Sequence, residues 1–117
     1  MRVVIVEDSR LARLELCEQL SQLPNVTLVG QADTVESATA LIDEVQPDLI
    51  LLDIDLPGGT GFDLLEQLEV LPKVVFTTAF DEFAVRSFEV DALDYLLKPI
   101  TLPRLTKALA KAEAQLA

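Results

Sequence analysis

Apolar residues follow two alternating patterns along this chain. Short runs rich in Val, Ile and Leu occupy residues 3–6, 26–30, 49–52, 74–77 and 93–97. Such runs, set off by polar and turn residues, predict five strands. The third and fourth are almost uninterrupted apolar segments, as expected for strands covered on both faces. Between the runs, apolar positions recur three or four residues apart. Ala12, Leu16, Leu20 and Leu23 form one stripe, and Val35, Ala38, Ile42 and Val45 a second. A last stripe runs through Leu102, Leu105, Leu109, Ala112 and Leu116. That spacing predicts helices with one buried face. Asp33 with Glu36 three residues later predicts a capping box ahead of the second helix, and Thr101 starts the last helix with Pro103 in its first turn.

Strand and helix therefore alternate as (βα)5, which predicts an α/β fold with right-handed crossovers and helices on both faces of a parallel sheet. The doubly wound five-stranded order is 2-1-3-4-5, the flavodoxin-like arrangement, formed by one domain over residues 1–117. In that order the topological switch lies between strands one and three, and ligands bind in the crevice outside their carboxyl ends. Polar residues gather at those ends: Glu7 and Asp8 after the first run, Asp53 after the third, Thr78 after the fourth and Lys98 after the fifth. Behind Asp53 comes the turn sequence Pro57-Gly58-Gly59.

Three acids and one base at one sheet edge suit a divalent cation and a phosphoryl group. Mg²⁺ takes one or two carboxylates and keeps waters, leaving positions for phosphate oxygens. Asp8 and Asp53 are expected as direct ligands, Glu7 through water and Asp55 through its backbone carbonyl. Asp53 is then placed to act as a nucleophile on phosphorus, with Lys98 and the Thr78 hydroxyl binding the phosphoryl oxygens. Blander readings compete residue by residue. Glu7 and Asp8, beside Ser9, could simply open the first helix. Asp55 before Pro57 could be turn chemistry, and Tyr95 a core residue. Glu36, Asp43, Glu44, Glu66 and Glu69 read as solvated helix faces.

Charge narrows the function classes. Twenty acids against nine bases give a net charge of -11, which excludes nucleic-acid binding by this chain itself, since phosphate contacts need clustered Lys and Arg. Cys17 is the single cysteine, so no disulfide framework exists and a reducing, cytoplasmic setting is expected. No apolar run approaches the length of a membrane span, and no membrane partner is expected.

The pieces Glu7-Asp8, Asp53-Ile54-Asp55-Leu56-Pro57-Gly58, Thr78-Ala79 and Lys98-Pro99 resemble the receiver domain of two-component response regulators across essentially the whole chain. The stretches 76–88 and 92–100 look like receivers that carry a LytTR-type DNA-binding output domain, a domain expected to lie outside this chain, beyond the Ala-rich tail at 108–117. The resemblance implies that Asp53 accepts phosphate from a histidine kinase, that Glu7 and Asp8 form the Mg²⁺ pocket, and that Thr78, Lys98 and Tyr95 couple phosphate to conformation. It further implies a cis Lys98–Pro99 bond, and Thr78 rather than Thr77 as the switch residue because Ala79 supplies the small neighbour. Asp55 and Phe80 stand where the hydrolytic water approaches in this family, with Phe80 expected to slow loss of phosphate. Phosphorylation is expected to favour a homodimer through the face of the fourth helix, fifth strand and fifth helix, with Phe83, Arg86, Asp94 and Lys107 as contacts. DNA is reached only through the output domain. The protein is read as a signalling phosphoacceptor rather than an enzyme. The alternative is a Mg²⁺-dependent phosphatase of the haloacid dehalogenase type using Asp53 and Asp55 as nucleophile and acid.

Overall fold

A computed structural model describes residues 1–80 and 84–116. Phe83, expected at the dimer face, and Ala117, at the end of the tail, lie outside the described residues. The order is β1 (Arg2–Val6), α1 (Arg10–Ser21), β2 (Thr27–Ala32), α2 (Val35–Val45), β3 (Leu49–Asp53), α3 (Gly61–Gln67), β4 (Lys73–Thr78), α4 (Ala84–Glu89), β5 (Asp94–Leu97) and α5 (Leu102–Leu116). The five strands form one parallel sheet in the order β2-β1-β3-β4-β5, as expected. A two-residue antiparallel ladder, Asp55–Leu56 against Gly59–Thr60, lies between β3 and α3. It was not expected from the sequence, because a turn around Gly58 at φ +89° closes it, not an apolar run.

Alternation along the strands sorts the apolar residues into two cores. Val4, Val6, Ile50, Leu52, Val74 and Phe76 face α2 and α3, meeting Val35, Ala38, Ile42, Phe62, Leu64 and Leu65. Val3, Ile5, Leu49, Leu51, Val75 and Leu96 face the other way, onto Leu16 and Leu20 of α1 and Leu105, Ala108, Leu109 and Ala112 of α5. Every residue of β3 is buried, which explains its unbroken apolar sequence.

The boundaries differ from the sequence reading in ways that have local causes. β2 runs two residues past Gly30, because parallel pairing continues from Ile5 to Gln31 and from Val6 to Ala32 after a register shift beyond Val3. The cap of α2 is Thr34, not Asp33. Thr34 Oγ1 accepts from the Ser37 N–H at 3.0 Å while Ser37 Oγ accepts from the Thr34 N–H at 3.1 Å. A hydroxyl pair thus replaces the expected Asp33–Glu36 box, and Glu36 stays exposed in the first turn. Leu23 lies beyond α1, yet still packs against the α1/α5 core.

Asp94 ties β5 to α5. Arg104 donates to both of its carboxylate oxygens, at 2.9 and 2.7 Å, Lys111 at 3.1 Å and the Tyr95 N–H at 2.8 Å. Burial pushes the Asp94 carboxyl upward, but these four donors outweigh it and hold the group at about 2. A depressed carboxyl stabilises the fold above its unfolded pKa, and that stabilisation is lost as the pH falls from about 4 through about 2. Arg104 and Lys111 are 40% and 47% exposed, so solvent discounts the interaction. Asp94→Asn is expected to cost about 1–2 kcal/mol at neutral pH. Urea melts should show that difference vanishing toward pH 2; a cost that is unchanged at low pH would assign it to packing instead.

Candidate functional site

The residues at the carboxyl edge of the sheet arrive there through the same alternation. The Glu7 N–H donates to the Ala32 carbonyl at 3.0 Å, so the chain remains strand-like one residue past β1. Glu7 therefore continues the Val3–Ile5 side and is fully buried. Asp53 is the last residue of β3, two beyond Leu51, and is 5% exposed. Lys98 follows β5, two beyond Leu96. Its N–H donates to the Thr78 carbonyl at 2.7 Å, and the Lys98–Pro99 peptide is cis, as the resemblance implied. From there the Lys98 ammonium donates to Glu7 Oε1 and, at 3.2 Å, to Asp53 Oδ2. Asp8 is exposed at the rim, and carboxylate oxygens of Glu7, Asp8 and Asp53 all lie within 4.8 Å of one another.

Three acids share one ammonium, and their proton affinities diverge accordingly. Burial, then the neighbouring Glu7, raises the Asp53 carboxyl to about 7 against the opposing pull of Lys98. Burial acts on Glu7 too, but hydrogen bonds from Asp53, from Lys98 and from the Ser9 N–H, the last at 3.0 Å, bring it below the ordinary range. Asp8 is raised by burial and by Glu7, and Lys98 is raised because the acids outweigh its own desolvation. Burial and Glu7 thus bias Asp53 toward its neutral form, a bias that an added cation would oppose.

Not every expected residue joins this cluster. The Asp55 side chain is exposed, and its N–H donates to Asp53 Oδ1 at 3.3 Å. Thr78 is buried at the end of β4, where its hydroxyl accepts from the Phe80 N–H at 3.2 Å, while Thr77 is paired with Asp53 across the ladder. Tyr95 is half-buried and its hydroxyl donates to the Phe80 carbonyl, bridging β5 to the segment after β4. The Phe80 side chain is 47% exposed. Asp94, expected at a dimer face, is occupied within the chain by Arg104 and Lys111.

Two residues were missed. A Cβ on Gly61 would stand 2.7 Å from the Asp53 carbonyl oxygen, so glycine alone lets α3 start against the end of β3. The signal was a glycine directly after Thr60, a poor helix former at a helix start. Arg13 Nη1 donates to the carbonyls of Glu7 at 2.8 Å and Asp8 at 3.1 Å; in sequence it reads as an ordinary helix base.

A sequence profile of the response regulator receiver domain matches residues 3–110. The chain belongs to this family. Among curated receivers, it is 44% identical to the sensory transduction protein LytT of Enterococcus faecalis over 99% of this chain, and 42% identical to LytT of Bacillus subtilis over 95%. The receiver spans about half the length of these relatives, 49% and 47%. The response regulatory domain of protein mrkE from Klebsiella pneumoniae superposes with a TM-score of 0.88 at 35% identity, covering 98% of this chain and 97% of that one. The REC domain of AraT, a response regulator from Geobacillus stearothermophilus, superposes at 0.86 and 28% identity, covering 98% and 94%. Membership sets aside the phosphatase alternative, and the outward Asp55 carboxylate is poorly placed as its acid. No described helix is long and apolar enough to cross a membrane.

Proposed function

We propose that this receiver is a phosphorylation switch in which Asp53 takes a phosphoryl group from the phosphohistidine of a kinase. The observation that carries this reading is the Lys98 ammonium set between the buried carboxylates of Glu7 and Asp53 at the sheet's carboxyl edge. An oxygen of ionised Asp53 attacks phosphorus, the P–N bond to the histidine breaks, and its electron pair returns to the imidazole. Lys98, already within reach of Asp53, follows the charge onto the phosphoryl oxygens, and the Thr78 hydroxyl, whose oxygen accepts from the Phe80 N–H, donates its own proton to one of them. The donor set is all hard oxygen, which fits Mg²⁺ held by Asp8, Asp53 and the Asp55 carbonyl, with Glu7 through water. When bound, Mg²⁺ supplies the positive charge that keeps Asp53 ionised and offsets the approach of an anionic donor.

Thr78 and Tyr95 both contact Phe80, so a shift of Thr78 toward phosphate alters the segment that Tyr95 holds. That is a packing change biased by a local charge. Its readout is a homodimer through α4, β5 and α5, with Arg86 and Lys107 among the contacts; Asp94 serves there as an internal support for α5. The relatives' length supports a longer regulator, and their names fit the reading that a LytTR-type output domain outside this chain binds DNA to control transcription in the cytoplasm.

The test is loading from acetyl phosphate with Mg²⁺, followed by intact mass and hydroxylamine lability. One phosphoryl group per chain is expected, without steady turnover of a generic phosphomonoester. Continuous turnover with no stable adduct would restore the phosphatase reading.

A further inference from the structure

The geometry points to Arg13 as the positioning residue that holds Glu7 and Asp8 in register for a cation, an inference that rests on the Mg²⁺-dependent reading above. The loop between β1 and α1 needs such a device. After the Glu7 N–H bond to Ala32, no described strand gives the loop backbone a further hydrogen bond, and α1 begins only at Arg10. This short loop carries two carboxylates, Glu7 and Asp8, which lie with that of Asp53 within 4.8 Å of one another. Like charges push the exposed Asp8 outward, away from Glu7 and Asp53. What resists the push is the backbone on which Asp8 stands.

One nitrogen of Arg13 fixes that backbone. Nη1 donates to two successive carbonyls, Glu7 at 2.8 Å and Asp8 at 3.1 Å. Carbonyls that converge on a single donor set the tilt of the peptide between them, and with it the direction in which the Asp8 side chain leaves the chain. Ser9 supplies the other half of the frame, its N–H donating to Glu7 Oε2 and its hydroxyl capping the Ala12 N–H at 3.3 Å. Arg13 touches neither carboxylate, so it acts through the peptide and leaves the coordinating oxygens free. It is half-buried, lying across the first turns of α1.

A tether that merely stabilised the helix start would lower stability with or without metal. Calorimetric titration of Mg²⁺ into the full chain, beside melting curves in chelator, separates the two roles. Arg13→Met keeps the stem and removes the donor, and Arg13→Gln reads the same way should Arg13→Met unfold. Both are expected to bind Mg²⁺ about tenfold more weakly than wild type, the usual cost of losing a group that orients a metal ligand. Arg13→Lys should recover most of the affinity, because one nitrogen makes both bonds. Equal affinities in wild type and Arg13→Met, or a loss that Arg13→Lys does not recover, would overturn the assignment. Wild-type protein that fails to take up Mg²⁺ would instead defeat the metal reading, and this inference with it.

Discussion

Asp53→Asn is expected to lower phosphoryl incorporation from acetyl phosphate by more than about 10³-fold, the scale seen when a nucleophile itself is removed. The amide has no nucleophilic oxygen anion, and no neighbouring acid is placed to substitute. Glu7 is fully buried and held by Lys98 and the Ser9 N–H, while Asp8 and Asp55 are exposed at the rim. The fold should not suffer. Asn can still accept from the Asp55 N–H, and wild-type Asp53 is a strained acid, raised to about 7 by burial and by Glu7. A raised carboxyl favours the fold below its unfolded pKa and progressively less as the pH climbs through about 7. Metal-free Asp53→Asn should therefore melt no lower than wild type at pH values above that point. In sedimentation velocity, wild type treated with acetyl phosphate should shift toward a dimer and the variant should not. Undiminished labelling of the variant would place the phosphoryl group on another acid.

Removal of Mg²⁺ should be nearly as severe, slowing loading of the wild type by about 10²-fold or more, as loss of several kcal/mol of charge stabilisation implies. One ammonium faces three carboxylates before any phosphate arrives. An incoming dianion meets net repulsion there, and burial with Glu7 biases Asp53 toward its neutral, non-nucleophilic form. Excess Mg²⁺ should also raise the melting temperature, since a ligand at 100 times its Kd stabilises a folded protein by about 2.7 kcal/mol. Loading that persists in chelator would remove Glu7 and Asp8 from the proposed pocket.

Much of this was legible from periodicity. The five strands, their order and the buried faces of α1, α2 and α5 follow from where Val, Ile, Leu and Ala fall, because period-two and period-3.6 patterns report burial; Leu116, at the end of the α5 stripe, is the exception and stands exposed. The gathering of Glu7, Asp53 and Lys98 was legible for the same reason: each stands just beyond an apolar run, and parallel strands end at one edge. What escaped the reading depends on single hydrogen bonds. Whether Asp33 or Thr34 caps α2 turns on which side chain reaches the Ser37 N–H, a contest that periodicity does not enter. Arg13 escaped because its partners are backbone carbonyls, which every residue has. The internal use of Asp94 escaped because Arg104 is ten positions away and one strand–helix crossing intervenes.

The two cores described above meet only across the sheet backbone. Among the described residues no buried side chain belongs to both: α1 and α5 own one, α2 and α3 the other. Substitutions on opposite sides should therefore combine additively in stability, as distant sites without shared partners do. This gives the fold an economy of adaptation. The α1 side can be re-cut for a different partner while the α2/α3 side keeps its packing, and a lineage can exchange one correspondent without rebuilding its conversation with the other.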